Sequence, residues 1–252
     1  VSQIHPCKVD TLAKKKYIYD YPKADHTVDA VVFGYDPKGT DGALKVLLIK
    51  RGNPNEAYYD FWALPGGYVN VLDETLDEAV KRELMEETEA EPEYLEQLYT
   101  FGDPGRDPRG PVISTAYFAL VRKRDFKVKG RDDAKEAKWV PINMALESTL
   151  AFDHAKILGM AHSRLQGKVR YAPIGFNLLP TKFSLGALQQ LYEAILWRLL
   201  DKRNFRKKIL AMGILKKAEV TDRGVPGKAI QLYRFDKDAY DLAVKNRFNF
   251  EI

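Results

Sequence analysis

Cysteine is almost absent: Cys7 is the single one in 252 residues. An intrachain disulfide and a thiolate metal cluster are therefore excluded, and the usage is compatible with a reducing compartment. No apolar run approaches the roughly 20 residues of a membrane-spanning helix. The first thirty residues hold lysines and tyrosines where a signal peptide needs an apolar block, so a cytoplasmic location is expected. The chain starts at Val1 rather than Met, as a trimmed or incomplete start would. Internal repeats and low-complexity stretches are also missing. What is present is 45% hydrophobic and 12% aromatic residues, enough for one sizeable core and a small second one.

Acidic residues are scarce in one region only. Residues 180–252 hold 15 Lys and Arg against 8 Asp and Glu, whereas the remainder holds 25 against 27. A near-neutral body joined to a basic segment implies two parts with different partners, the second a polyanion. The Gly- and Pro-bearing stretch Tyr171–Pro180 is the expected hinge between them.

Strand signals come early. His26–Tyr35 and Leu44–Lys50 are rich in β-branched and apolar residues around a turn cluster, Asp36–Gly42, and predict a hairpin. Phe61–Val69 is a short extended run broken at Pro65, Gly66 and Gly67. From Thr75 through Thr88, Leu76, Ala79, Val80 and Leu84 recur at helical spacing. The far face of that helix carries Arg82, Glu83, Glu86 and Glu87, because positions three and four apart stack on a helix. Ser114–Val121 and Ala137–Val140 add strands. Like charges this close repel; a solvated acidic face is one reading, and a site for hard divalent cations such as Mg²⁺ or Mn²⁺, which favour oxygen ligands, is the other.

The stretch from Gly67 through Glu74, followed by seven residues and Arg82-Glu83-Leu84-Met85-Glu86-Glu87, resembles the Nudix box. That pattern is a glycine, five residues, a Glu, seven residues, then Arg-Glu-apolar-X-Glu-Glu-X-Gly-apolar. Two positions depart from it. Six residues separate Gly67 from Glu74, so either the loop holds one extra residue or Asp73 takes the glutamate's place; and Glu89 replaces the glycine that suits a helix end. The resemblance implies an α/β (α+β) fold, a Nudix α/β/α sandwich with a mixed sheet. It also implies metal-assisted hydrolysis of a nucleoside diphosphate linked to another group. In that family Glu83, Glu86 and Glu87 correspond to ligands of Mg²⁺ or Mn²⁺, Arg82 orients a glutamate, Glu74 supports the loop, and Gly66 and Gly67 belong to the ligand loop.

Phe101–Gly110, with Arg106 and Arg109 on a Pro/Gly-braced turn, is similar to a segment of Nudix domains that recognise ADP-ribose. Guanidinium groups suit a pyrophosphate through charge-assisted hydrogen bonds; a surface turn with solvated arginines is the alternative. Ala151–His154 looks like a tail segment of the same domains, with His154 more simply a structural histidine.

In the basic segment, Ser184 can cap a helix through Trp197 and Asp201 a second one, Lys202–Met212, ending at Gly213. Ile214–Val220 and Ala229–Phe235 read as strands around Thr221–Lys228. This order resembles the winged helix-turn-helix domain of Nudix-related transcriptional regulators, including those of NAD metabolism, which bind an operator as dimers. Lys202, Arg203, Arg206, Lys207 and Lys208, with Arg223 and Lys228 in the wing, would contact double-stranded DNA. The expected organisation is a Nudix domain over residues 1–170, its core about 25–165, and a winged helix over 180–252. The expected function is a homodimeric regulator sensing ADP-ribose or a related compound, with retained hydrolysis left open. Two alternatives remain: a working ADP-ribose pyrophosphatase whose basic domain serves dimerisation or substrate capture, and a sugar-responsive regulator.

Overall fold

The computed structural model describes residues 20–35, 44–88, 92–123, 134–225, 228–246, 248 and 250–252. Strands β1 (Asp25–Tyr35), β2 (Leu44–Arg51), β3 (Trp62–Ala63), β4 (Gly66–Tyr68), β5 (Tyr94–Phe101), β6 (Val112–Arg122) and β7 (Ala134–Pro141) form one mixed sheet. The central pair is parallel, β1 against β6, in register from Asp25 opposite Val112 to Tyr35 opposite Arg122. The expected antiparallel pairing of β1 with β2 is present, with Phe33 opposite Val46. The turn cluster Asp36–Gly42 lies outside the described residues.

The sheet is covered on both sides, which explains why β1 reads as a continuous apolar run rather than an alternation. Val28, Ala30 and Val32 meet Ala79, Val80 and Leu84 of α1 (Leu76–Thr88). Val31 and Phe33 belong to the opposite core, with Ile157, Leu158, Ala161 and Leu165 of α3 (His154–Lys168). A short helix, α2 (Ile142–Glu147), precedes it.

The second part holds β8 (Phe183–Ser184), α4 (Leu185–Leu196), α5 (Lys202–Ala211), β9 (Leu215–Val225), β10 (Lys228–Phe235) and α6 (Lys237–Lys245). Its sheet order is β8-β10-β9. The caps are local in origin: Ser184 Oγ accepts from Ala187 N at 3.0 Å, and Asp201 Oδ1 from Asn204 N at 2.8 Å. Each satisfies one of the amide donors orphaned at a helix start. Gly213, at φ +69°, supplies the left-handed residue after α5.

Two expectations change. Tyr171–Pro180 is no exposed hinge: Pro173–Leu178 forms a 3-10 helix whose Ile174, Phe176 and Leu178 are buried in the core that also holds Leu188 and Leu191 of α4. Apolar residues beside the Pro and Gly made burial more favourable than a solvated linker. The segment Thr221–Val225 continues strand β9 rather than opening a turn, because it gains ladder partners on β10, Thr221 opposite Gln231 and Arg223 opposite Ala229. Among the described residues no helix is long and apolar enough to cross a membrane.

Candidate functional site

Helix α1 starts with a reciprocal capping box. Thr75 Oγ1 accepts from Glu78 N at 3.3 Å, and Glu78 Oε2 accepts from Thr75 N at 2.8 Å. Ahead of it, Arg82 closes the loop. Its Nε donates to Glu74 Oε2 at 2.9 Å and its Nη2 to Glu74 Oε1 at 2.8 Å, while Nη2 also reaches the Tyr68 carbonyl at 2.9 Å. The choice left open between Asp73 and Glu74 is thus decided geometrically: Glu74 is the partner of Arg82. The Arg82 guanidinium, with the Asn70 amide behind it, holds the Glu74 carboxyl down to about 2. The additional loop residue is absorbed in a turn, where the Asn70 carbonyl accepts from both Asp73 N and Glu74 N and Val71 and Leu72 face solvent.

Gly66 is required by close approach to backbone, whereas Gly67 faces the movable end of a side chain. A Cβ on Gly66 would sit 2.2 Å from the Val28 carbonyl oxygen, and one on Gly67 would sit 2.3 Å from Glu83 Oε1. Gly67 therefore leaves the space that the Glu83 carboxylate fills. Arg82 Nη1 also donates to Glu83 Oε1 at 2.7 Å and lies 3.6 Å from Glu86 Oε1.

The three glutamates differ in setting. Glu86 is about half exposed. Burial raises the Glu83 carboxyl above its ordinary range against the pull of Arg82. Burial, reinforced by Glu83 and Glu86, pushes Glu87 up to about 8. Glu87 Oε2 is buried without a hydrogen-bond partner, an arrangement that costs free energy unless a cation or proton compensates it. Among the described residues no three His, Cys, Asp or Glu side chains stand as a ready-made cage. A hard ion such as Mg²⁺ is commonly held by one or two carboxylates with waters and phosphates completing the shell, so the donor set fits such an ion without a cage. Glu89 lies outside the described residues.

These groups line a cleft of about 540 Å³ that also takes in Asp29, Arg106, Arg109, Phe152 and His154. The two arginines expected to meet a pyrophosphate are engaged differently from solvated turn residues. Arg106 is buried, its side chain 4% exposed, and bonds Asp153 through Nε at 3.0 Å and Nη2 at 2.6 Å. Arg109 is one-third exposed and pairs with Asp107 at 2.6 Å. Its guanidinium also lies 5.2 Å from both the Tyr68 and the Phe152 ring centres. Arg51, its guanidinium 5.0 Å from the Phe152 ring centre, bonds Glu56 at 2.5 Å. His154 Nδ1 accepts from Leu64 N at 2.9 Å, and burial lowers its basicity, so the ring is neutral and its Nε2 faces Asp29 at 3.4 Å. This agrees with a structural role for His154.

Asp29, Arg51, Glu56 and Phe152 escaped the reading of the sequence. Arg51 ends an apolar strand and Phe152 carries a left-handed backbone at φ +51°, but a lone cation at a strand end and a lone aromatic are weak signals. Asp29 sits inside an apolar run, where a buried carboxylate is itself the signal; Ser114 Oγ donates to it.

On the second part, α5 buries Phe205 and Ile209 and exposes Lys202, Arg203, Lys207 and Lys208, with Arg206 half-buried. The amphipathic spacing thus turns the cations outward. Lys208 lies 3.7 Å from Glu251. Arg223 and Lys228 occupy the ends of β9 and β10; their side chains lie outside what is described.

Residues 25–159 match the NUDIX domain family and residues 175–235 the NrtR DNA-binding winged helix domain. The chain is 38% identical to the "ADPR responsive transcriptional repressor NtrR" of Acinetobacter baylyi over 227 residues, 88% of this chain and 86% of that protein. The crystal structure of Shewanella oneidensis NrtR complexed with a 27mer DNA matches with a TM-score of 0.75 at 32% identity, covering 89% of this chain and 96% of that one. The cocrystal structure of its NUDIX domain complexed with ADP ribose matches with a TM-score of 0.51 at 37% identity, over 57% of this chain and 90% of that one. With a Nudix fold, an acidic cleft and a basic winged helix in one chain, this protein belongs to the NrtR family of Nudix-related transcriptional regulators.

Proposed function

We propose that this chain is an ADP-ribose-responsive transcriptional repressor, with a Nudix sensor domain over residues 1–170 and a DNA-binding domain over 180–252. The carrying observation is the union of an acidic, arginine-lined cleft and an outward-facing basic α5 in one continuous apolar core. Lys202, Arg203, Arg206, Lys207 and Lys208, with Arg223 and Lys228 of the wing, contact DNA; phosphate contacts set affinity and a few polar groups read base edges. Gly66, Gly67 and Arg109 hold the ligand, with Arg106 behind them. ADP-ribose is favoured over a neutral sugar because three arginines, Arg51, Arg106 and Arg109, converge on the cleft and the domain's relative was crystallised with ADP ribose.

Glu83, Glu86 and Glu87 hold Mg²⁺ or Mn²⁺, which would neutralise phosphate charge and polarise phosphorus when bound. Arg82 fixes Glu83 and Glu74 beneath that site. The unpaired Glu87 oxygen favours a second, compatible reading in which ADP-ribose is also hydrolysed to AMP and ribose phosphate.

The test is fluorescence anisotropy with a labelled palindromic duplex from upstream of the gene, titrated with and without ADP-ribose. Selective binding released by ADP-ribose supports the proposal. Binding no tighter than to scrambled duplex overturns it. Product analysis with Mg²⁺ separates sensing from sensing with turnover.

A further inference from the structure

Helix α3 touches both functional regions. Its N-terminal residue, His154, lines the cleft, and the residue before it, Asp153, does not cap the helix with its side chain. The Asp153 carboxylate instead takes both donors of Arg106, whose Nη2 also lies 3.7 Å from Asp29. One guanidinium thus serves two carboxylates in a buried setting, where a third anion competes strongly.

Farther along, roughly 12 to 18 Å from its start at 1.5 Å per residue, α3 grips the DNA-binding part. Gln166 Nε2 donates to the Ile195 carbonyl near the end of α4 at 2.9 Å. The His162 ring packs on Trp197 at 4.5 Å between centres. Just beyond α3, the Arg170 carbonyl accepts from Ile252 N at 3.0 Å. Trp197, at φ +52°, ends α4 and leads into the turn before α5. That turn is bound to α4: Glu193 Oε1 accepts from Leu200 N at 2.9 Å, and Gln189 Nε2 donates to the Leu200 carbonyl at 3.0 Å. A displacement of the α4 end is therefore carried to α5.

We propose that Arg106 and α3 couple the cleft to the DNA-binding surface: a phosphate-bearing ligand draws the Arg106 guanidinium from Asp153, and the released start of α3 shifts the contacts that His162 and Gln166 make with α4. This rests on the repressor reading above and adds to it the element that transmits the signal. Close packing makes the shift a change between discrete arrangements, since small helix movements at an interface repack rather than stretch it. Each ligand then biases one element, and the effect is reciprocal.

The coupling is measured as the ratio of operator affinity with and without ADP-ribose, in the full chain. The wild type is expected to lose roughly 10-fold or more on ADP-ribose addition, within the usual range of allosteric coupling. A His162→Phe/Gln166→Ala double variant, which alters neither cleft nor α5, is expected to bind each ligand alone within about 2-fold of wild type while the ratio falls below about 2-fold. Asp153→Asn is expected to weaken operator binding before ADP-ribose is added and to narrow the ratio. A Gln166→Ala single variant serves if the double variant does not fold. Full coupling in folded His162 and Gln166 variants, with Asp153→Asn unchanged, overturns the inference and leaves the repressor reading intact. A wild type that binds no operator, or ignores ADP-ribose, instead overturns that reading and the inference with it.

Discussion

Gly67 stands against the Glu83 carboxylate so closely that a Cβ would come within 2.3 Å of its Oε1. The obstacle is the end of a flexible side chain, so Gly67→Ala should leave the fold within about 1 kcal/mol of wild type while displacing Glu83. The expected result is a loss of Mn²⁺ affinity of roughly 10-fold or more, as for supporting groups of metal sites, measured by titration calorimetry. Unchanged Mn²⁺ binding would show that Glu83 is not a ligand.

Glu87 gives a pH signature. Its carboxyl is pushed up to about 8 in the folded protein from an ordinary 4.5, so the folded state keeps a proton that the unfolded chain has released. Stability therefore falls as pH rises between those values and levels off above the higher one. Glu87→Gln lacks this cost. Without divalent ions it should come close to wild type near pH 4.5 and exceed it at pH 8 by about 4 kcal/mol, a Tm gain of roughly 8–16 °C. It should also lose the Mn²⁺-induced stabilisation of wild type. A variant less stable than wild type at pH 8 would sink this account.

Arg109 and Arg106 should behave differently. Arg109→Ala removes a one-third-exposed cation over two rings and is expected to weaken ADP-ribose binding by about 10-fold or more, with a modest change in Tm, since a hydrogen bond to a charged group contributes about 1.5–3 kcal/mol. Arg106→Ala leaves Asp153 and Asp29 without their buried counter-charge and is expected to destabilise by about 3–5 kcal/mol. Thermal melts beside ligand titrations separate the two; equal melting temperatures would contradict the burial difference.

The DNA surface predicts a salt effect. Lys207→Ala should weaken binding to specific and scrambled duplexes alike and lower the slope of log affinity against log salt by about 1, the mark of one lost phosphate contact. A slope equal to wild type would place Lys207 away from the backbone.

What the sequence determined by itself is what short-range physics controls. The spacing of Leu76, Ala79, Val80 and Leu84 defines the buried side of α1, and Asp201 marks the start of α5, because a helix face and a cap depend on residues three or four apart. The strands β1, β2 and β6 were legible from their apolar content, as was the winged-helix order after Ser184. Tertiary structure decided which polar groups are engaged. Arg106 meets Asp153 across 47 residues of chain, Asp29 meets Ser114 across the parallel pairing of β1 with β6, and Glu87 lost its solvent when α1 packed on the sheet. The expected hinge at Tyr171–Pro180 became core for the same reason. Burial and partner choice depend on segments brought together by folding, and no local spacing encodes them.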